Sequence, residues 1–300
     1  MPPSGTEVSA WNPLAGGLAR SARRSADIAR ALERVDPVRI GLALVVVALA
    51  VYMLSNPERR NSYNHFVWQA QALLEGRFSI AYPVESGAHV NAYFQDVMPL
   101  TGQPGRGLLP FPPLPALVLL PFVALFGLST DATLVAMVFG ALNVGLAWRM
   151  TLRITDNRAA ALLATVFFGF GTVHWYAAML GSTWFLAHVV SITFLLLGIT
   201  LALDAERAER ARRALRRLGG SIAAPRGWFV PLQFMAGFLF GLAAIGRLPM
   251  LLGAPFFALV GGGASYRARA LSAGLGALLP FVLLLGYNLA ASGHIFNPAY

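Results

Sequence analysis

Residues Leu114–Leu128 read LPALVLLPFVALFGL, and whether this stretch crosses a membrane decides how the whole chain is threaded. It is strongly apolar, but a spanning helix needs about 20 such residues. It also opens in the proline cluster LLPFPPLP and carries Pro121 inside it. A proline within a helix removes a hydrogen bond and clashes with the preceding turn. The stretch is therefore expected to lie along the membrane or re-enter on one side.

Arginine placement supports this. Around the stretch lie the apolar runs Ile40–Ser55, Ala132–Trp148, Ala159–Leu180, Trp184–Leu203, Trp228–Ile245, Leu248–Val260 and Leu271–Ala291. Taking these as spans with the N-terminus inside leaves 18 arginines on the inner side and 5 outside. If Leu114–Leu128 also spans, every later loop flips, and the counts become 7 and 16. Basic residues concentrate in cytoplasmic loops, so the first arrangement is expected. It predicts an all-α integral membrane protein of seven transmembrane helices, N-terminus cytoplasmic and C-terminus outside. Two juxtamembrane helices lie in the first outer loop.

Composition agrees. Of 300 residues, 57% are apolar and 12% charged, with mean hydropathy +0.62. A soluble domain carries about 25% charged residues. The net charge of +10 comes entirely from arginine, since the chain has no lysine. Basic inner loops account for that charge, so no nucleic-acid partner is expected. The absence of cysteine excludes disulfides, thiolate metal sites and cysteine nucleophiles.

Residues 1–38 read as a cytoplasmic basic tail, with Ser25–Val35 as a short helix on the anionic inner leaflet. Residues 39–300 form the transmembrane module, with an outer loop over 56–130 and a basic cytoplasmic loop over 204–227. In the latter, Glu206–Arg210 and Glu209–Arg213 have helical i,i+4 spacing. In the outer loop, Tyr63, Phe66, Val67, Ala70, Leu73 and Leu74 share one helix face. Asn64, Trp68, Gln71 and Glu75 fall opposite, and Gly76 ends the helix.

No Walker loop, GxSxG, HExxH or CxxC occurs. The residues with chemical potential are few. Asp96, in YFQDVMP, is either a turn-capping aspartate or a general base or cation ligand at the membrane boundary. Glu85 is a weaker acidic candidate in the same loop. Arg247, in GRLPM, either snorkels to water or clamps a lipid-linked phosphate. His65 is either a polar-face residue or an acid, base or phosphate contact. His174 and His188, within or near spans, are either functional ionisable groups or neutral histidines bonded to neighbouring helices, and Asp131 reads as a helix cap. Tyr287 and Asn288 face protein or a cavity.

These pieces form a series: a first span, then NHFVWQAQALLEGR, then Asp96-Val97-x-Pro99, then PFPPLPALVLLPFVALFG. Later come RLP at 247–249 and YNLAASGHIFNPAY at the end. The series resembles the GT-C-type, lipid-carrier-dependent glycosyltransferases, the broad group of protein O-mannosyltransferases and aminoarabinose transferases. The resemblance covers roughly residues 38–300. It implies transfer of a sugar from a polyprenyl-phosphate carrier to an acceptor outside a prokaryotic inner or plasma membrane. An outer-loop carboxylate would deprotonate the acceptor, often with a divalent metal (Mg or Mn), and basic groups would hold the carrier phosphate. Carried onto this chain, Asp96 is the catalytic and metal-holding carboxylate. Arg247, His65, Glu85, Tyr287 and Asn288 are the substrate-binding set.

The chain departs from that pattern at one place. The family usually has an acid just before the first interfacial helix, where this chain reads RRNSYNH over residues 59–65. Either Asp96 supplies the base, or the chain is a non-catalytic relative that binds the carrier or a protein partner. Family members usually continue through further spans, so the resemblance implies a fragment or a reduced homologue. A transporter of lipid-linked substrate is a third reading. It predicts inverted repeats with broken helices, and none is visible.

Overall fold

The computed structural model describes residues 27, 30–59, 63–81, 96–219, 228–262 and 265–296. Glu85, most of the N-terminal tail and part of the basic 204–227 loop lie outside these residues.

Helix α1, Pro37–Ser55, starts where the Asp36 side chain accepts from the Val38 amide at 2.9 Å and Pro37 occupies the first turn. Both features suit a helix start. After it come α2 (His65–Leu74), strands β1 (Ile80–Ala81), β2 (Met98–Pro99) and β3 (Arg106–Leu108), and α3 (Leu114–Phe126). Then follow α4 (Ala132–Ile154), α5 (Arg158–Phe170), α6 (Val173–Leu180) and α7 (Thr183–Arg217). The chain ends with α8 (Pro231–Gly246), a 3₁₀ stretch (Leu248–Gly253), α9 (Ala254–Leu259) and α10 (Tyr266–Ser292).

The protein is a predominantly helical membrane protein. Helices α1, α4, α7 and α10 are each long and apolar enough to cross a bilayer, and α5 with α6 makes a fifth candidate bent by 50°. The bend falls at Gly171 and Thr172, where Thr172 Oγ1 donates to the Phe168 carbonyl and accepts from the His174 amide. One hydroxyl thus closes α5 and caps α6, an identifiable cause of a kink. Large side chains point outward along the spans, such as Val38, Leu42 and Val46 on α1 and Leu163 and Phe167 on α5. Apolar surface on this scale is stable against lipid, not water.

Contacts fix the direction of each helix. α1 runs against α4: Tyr52 lies beside Gly140, Val45 beside Gly145, and the Trp148 indole donates to the Pro37 carbonyl at 2.8 Å. α5 and α6 run back along α4, with Thr165 at Thr151, Gly169 at Val144 and His174 on the Gly140 carbonyl. α7 runs parallel to α4: Asn143 donates to the Val189 carbonyl at 2.9 Å, and Arg153 pairs with Asp204 at 2.5 Å. α8 runs against α7, with Gly246 at Ser191 and Gly198 at Ala236.

α8 and α10 are parallel and touch at backbone distance. A Cβ on Gly237 would overlap Ala273, one on Gly241 would meet Ala277, and one on Gly276 would overlap Phe234. Gly237 and Gly241 are one helical turn apart, the small-residue spacing that lets membrane helices approach closely. Two parallel neighbours require the chain between them to return. Residues 248–262 do so, since Gln233 Nε2 donates to the Phe257 and Val260 carbonyls at 2.6 and 3.1 Å near the start of α8.

α3 does not follow the long helices. Its first residue, Leu114, packs beside Gly246, and the residues after it reach Asp131, which pairs with Arg59 at 2.8 Å. Both ends of α3 therefore sit at the same end of the bundle, as its length and prolines predict. Asp131 also caps α4 by accepting from the Leu134 amide at 2.8 Å. α7 continues past Asp204 as one 35-residue helix, with the expected pairs Glu206–Arg210 at 2.7 Å and Glu209–Arg213 at 3.2 Å.

Two features differ from the sequence reading. The outer loop holds a small antiparallel sheet in the order β1-β3-β2. Its strands have two or three residues, too few for an alternating pattern to register. Helix α2 is also buried on two sides. Phe66, Val67 and Ala70 face the main core, while Ala72 packs with Ile80 and Leu109 of the sheet layer. Leu74, expected on the apolar face, is exposed. The helix ends as expected: Gly76 at φ +69 lets its amide reach the Leu73 carbonyl and the Arg77 amide reach Ala72.

The chain lacks cysteine, so single engineered cysteines report topology cleanly. Cysteines at Gln103 and Ala214 are expected to label from opposite sides of the membrane; labelling of both from one side would contradict the packing directions. Gly237→Leu is expected to destabilise the protein by about 1–3 kcal/mol or more, because an overpacked seam must open. Thermal unfolding in detergent reads this, with exposed Gly274→Leu as the control.

Candidate functional site

At the end of the bundle that carries α2 and α3, several elements deliver polar side chains into an apolar setting. The first turn of α2 brings His65, fully buried. Its Nδ1 lies 2.7 Å from Thr183 Oγ1, and that hydroxyl donates to the Tyr63 carbonyl at 3.1 Å. A hydroxyl has one hydrogen to give. With it spent on Tyr63, Thr183 accepts from His65, which places the imidazole proton on Nδ1. Aromatic rings enclose the imidazole: Tyr63 stacks at 6.0 Å, and Trp68, Phe111 and Trp184 lie at 5.2, 5.7 and 6.4 Å.

One turn along α2, Gln69 is also buried. Its Nε2 donates to the Tyr287 hydroxyl at 2.8 Å and to the Phe111 carbonyl at 3.4 Å, while its Oε1 is buried without a partner. Tyr287 comes from the last part of α10, and its ring packs on Phe78 at 5.6 Å. Gln69 thus ties α2, the segment before α3, and α10 together.

Arg247 closes α8, directly before the 3₁₀ stretch. Its guanidinium donates to the Trp184 carbonyl, and its Nε is buried without a partner. His188, one turn beyond Trp184 on α7, lies within electrostatic reach of this charge. Ser191, three residues further, faces Gly246, and its hydroxyl is also buried without a partner. Trp184, His188 and Ser191 follow i, i+4, i+7 spacing, so one face of α7 lines the Arg247 side of the site.

The site residues expected from the sequence divide. His65, Arg247 and Tyr287 reach this end of the bundle in buried or half-buried positions. Asn288 is buried, and its Nδ2 donates to the Ile295 carbonyl at 3.1 Å, folding the chain after α10 back on itself. Asp96 lies on an exposed turn at φ +67 immediately before β2. Its neighbour Val97 packs against the sheet side of α2, and among the described residues no ion pair holds the Asp96 carboxylate. Glu85 lies outside the described residues. Among the described residues no three His, Asp or Glu side chains converge.

The sequence reading missed Gln69, Thr183, Trp184 and Ser191. Gln69 had a signal: it lies four residues after His65 on the same helix. The other three stand in apolar runs where only the α2–α7 and α7–α8 packing gives them partners.

No family model, curated protein or solved structure matches the chain.

Thr183 holds His65, so Thr183→Val is expected to leave the Nδ1 proton buried without an acceptor, at a cost of about 1–3 kcal/mol. Thr183→Ser keeps the hydroxyl and is expected to restore most of the lost thermal stability. Equal stability of the valine and serine variants would show that the hydrogen bond contributes nothing.

Proposed function

We propose that this protein is a seven-span membrane glycosyltransferase of the GT-C type. It takes a sugar from a polyprenyl-phosphate carrier at the outer face of a prokaryotic inner or plasma membrane. The orientation follows from arginine distribution, with the His65 and Arg247 end outside and the Asp204 end in the cytoplasm. The alternation of helix directions, with residues 248–262 as a short return span, supports the count of seven.

One observation carries the assignment: the Arg247 guanidinium is half-buried at the outer end, and its Nε donor has no partner. Leaving a buried donor unpaired costs about 1–3 kcal/mol, more for a charged group. A phosphate oxygen of the carrier satisfies it through a charge-assisted hydrogen bond. The aromatic enclosure around His65 offers ring faces near that charge. In the transfer, an acceptor hydroxyl attacks the anomeric carbon, the bond from that carbon to the phosphate oxygen breaks, and the carrier phosphate leaves with the bonding pair. Arg247 stabilises the charge developing on that phosphate. Asp96 takes the proton of the acceptor hydroxyl.

A second reading has its own support. A general base needs fixed geometry before its proton affinity matters, and Asp96 stands exposed on a turn. This favours a non-catalytic protein of the same architecture that binds the lipid carrier at Arg247.

Arg247→Lys retains charge but loses the planar fork and is expected to weaken polyprenyl-phosphate binding, with Arg247→Ala weaker still. Binding unchanged in Arg247→Ala would remove the phosphate assignment. Asp96→Asn is expected to lower sugar transfer by about 10²-fold while carrier binding stays intact. Equal transfer by the variant excludes Asp96 as the base, and carrier binding without transfer by the unmodified protein selects the second reading.

A further inference from the structure

At the opposite end of the bundle, α1, α4 and α7 leave between them a groove of about 660 Å³. Its walls are apolar: Gly41 and Val45 of α1, Leu142 and Leu146 of α4, and Leu197 of α7. Gly145 lets Val45 approach α4 closely, and Trp148 closes the α1–α4 contact at the level of Pro37. Leu142 is 44% exposed, on the groove face. A depression of this kind among spanning helices is filled by a hydrocarbon chain.

The mouth of the groove is charged. Arg149 and Arg153 both line it, and both are directed at one carboxylate, Asp204. Arg153 takes that carboxylate at 2.5 Å, while Arg149 reaches it only at 3.4 Å and keeps 54% of its side chain exposed. Two guanidinium groups against one carboxylate leave a net positive charge. Of the pair, Arg149 is the one with donors to spare. An apolar trough with an under-compensated arginine at its rim complements a molecule with an acyl chain and a single anionic phosphodiester.

We infer that the α1–α4–α7 groove is a binding site for an anionic glycerophospholipid. One acyl chain lies along Leu142, Leu146 and Leu197, and the headgroup phosphate bonds to Arg149. The site goes beyond the sugar-transfer reading; only its assignment to the inner leaflet rests on the orientation proposed above. The anionic lipids of a cytoplasmic leaflet supply the ligand.

The test uses the full chain, delipidated in detergent and mixed with equimolar dioleoyl phosphatidylglycerol and dioleoyl phosphatidylcholine, with retained lipid counted by native mass spectrometry. The protein is expected to keep phosphatidylglycerol over phosphatidylcholine by about fivefold, the ratio equivalent to ~1 kcal/mol for one arginine at a membrane surface. Arg149→Gln is expected to bring the ratio close to unity. Leu142→Trp fills the trough and is expected to reduce retention of both lipids, whereas Leu163→Trp, exposed on α5, leaves retention unchanged. Soluble glycerol 3-phosphate is expected not to displace the lipid. A ratio near unity in the unmodified protein, or an undiminished ratio in Arg149→Gln, would overturn the site; displacement by glycerol 3-phosphate would overturn its assignment to a lipid. None of these readouts depends on sugar transfer, so a failure here leaves the Arg247 reading standing.

Discussion

The close approach of α8 and α10 is the constraint on which the rest of the structure depends. In a bilayer, apolar surface gains nothing from leaving lipid, so helices associate through packing and hydrogen bonds. Gly237, Gly241, Gly276 and Ala273 supply that packing by bringing two backbones into contact. Because the two helices are parallel, residues 248–262 must return between their ends, and the break before that return places Arg247 at the end of the bundle that carries α2 and α3. The same seam sets where α10 ends, and so brings Tyr287 to the level of Gln69.

The end of the bundle that carries α2 and α3 is held by hydrogen bonds as well as by a buried apolar cluster. Thr183 connects the start of α7 to both Tyr63 and His65, and Gln69 connects α2 to α10. Each bond replaces one that water or lipid headgroups would otherwise make, so the pairs specify an arrangement as much as they stabilise it. Against that order, Gln69 Oε1, Ser191 Oγ and Arg247 Nε are buried without partners.

The opposite end follows different physics. Arg158 of α5 donates to the carbonyls of Leu32, Glu33 and Val35, fixing the chain that leads into α1. Arg149 and Arg153 share Asp204, and Arg207 reaches the Leu152 carbonyl at 3.0 Å. Arginine here closes helix ends with its several donors.

Much of the architecture was legible in the sequence because its causes are local. Apolar run length, the Asp131 cap, the Gly76 terminus and the glutamate–arginine spacing on α7 each act within a few residues. The prolines and shortness of Leu114–Leu128 were enough to set it apart from the long helices. The site was legible only in part. Arg247, His65 and Tyr287 stood out as polar groups in apolar surroundings, while Thr183 and Ser191 look like ordinary helix residues until α2 and α8 pack against α7. Asp96 shows the converse: its neighbours in the chain suggested an anchored carboxylate, but the sheet turns it outward at positive φ. Sequence alone determined which segments are helical and apolar, since backbone groups in a membrane must be satisfied within the segment itself. Tertiary structure alone decided which polar atoms meet, because their partners lie 42 to 218 residues away in the chain and are brought within reach only by helix packing.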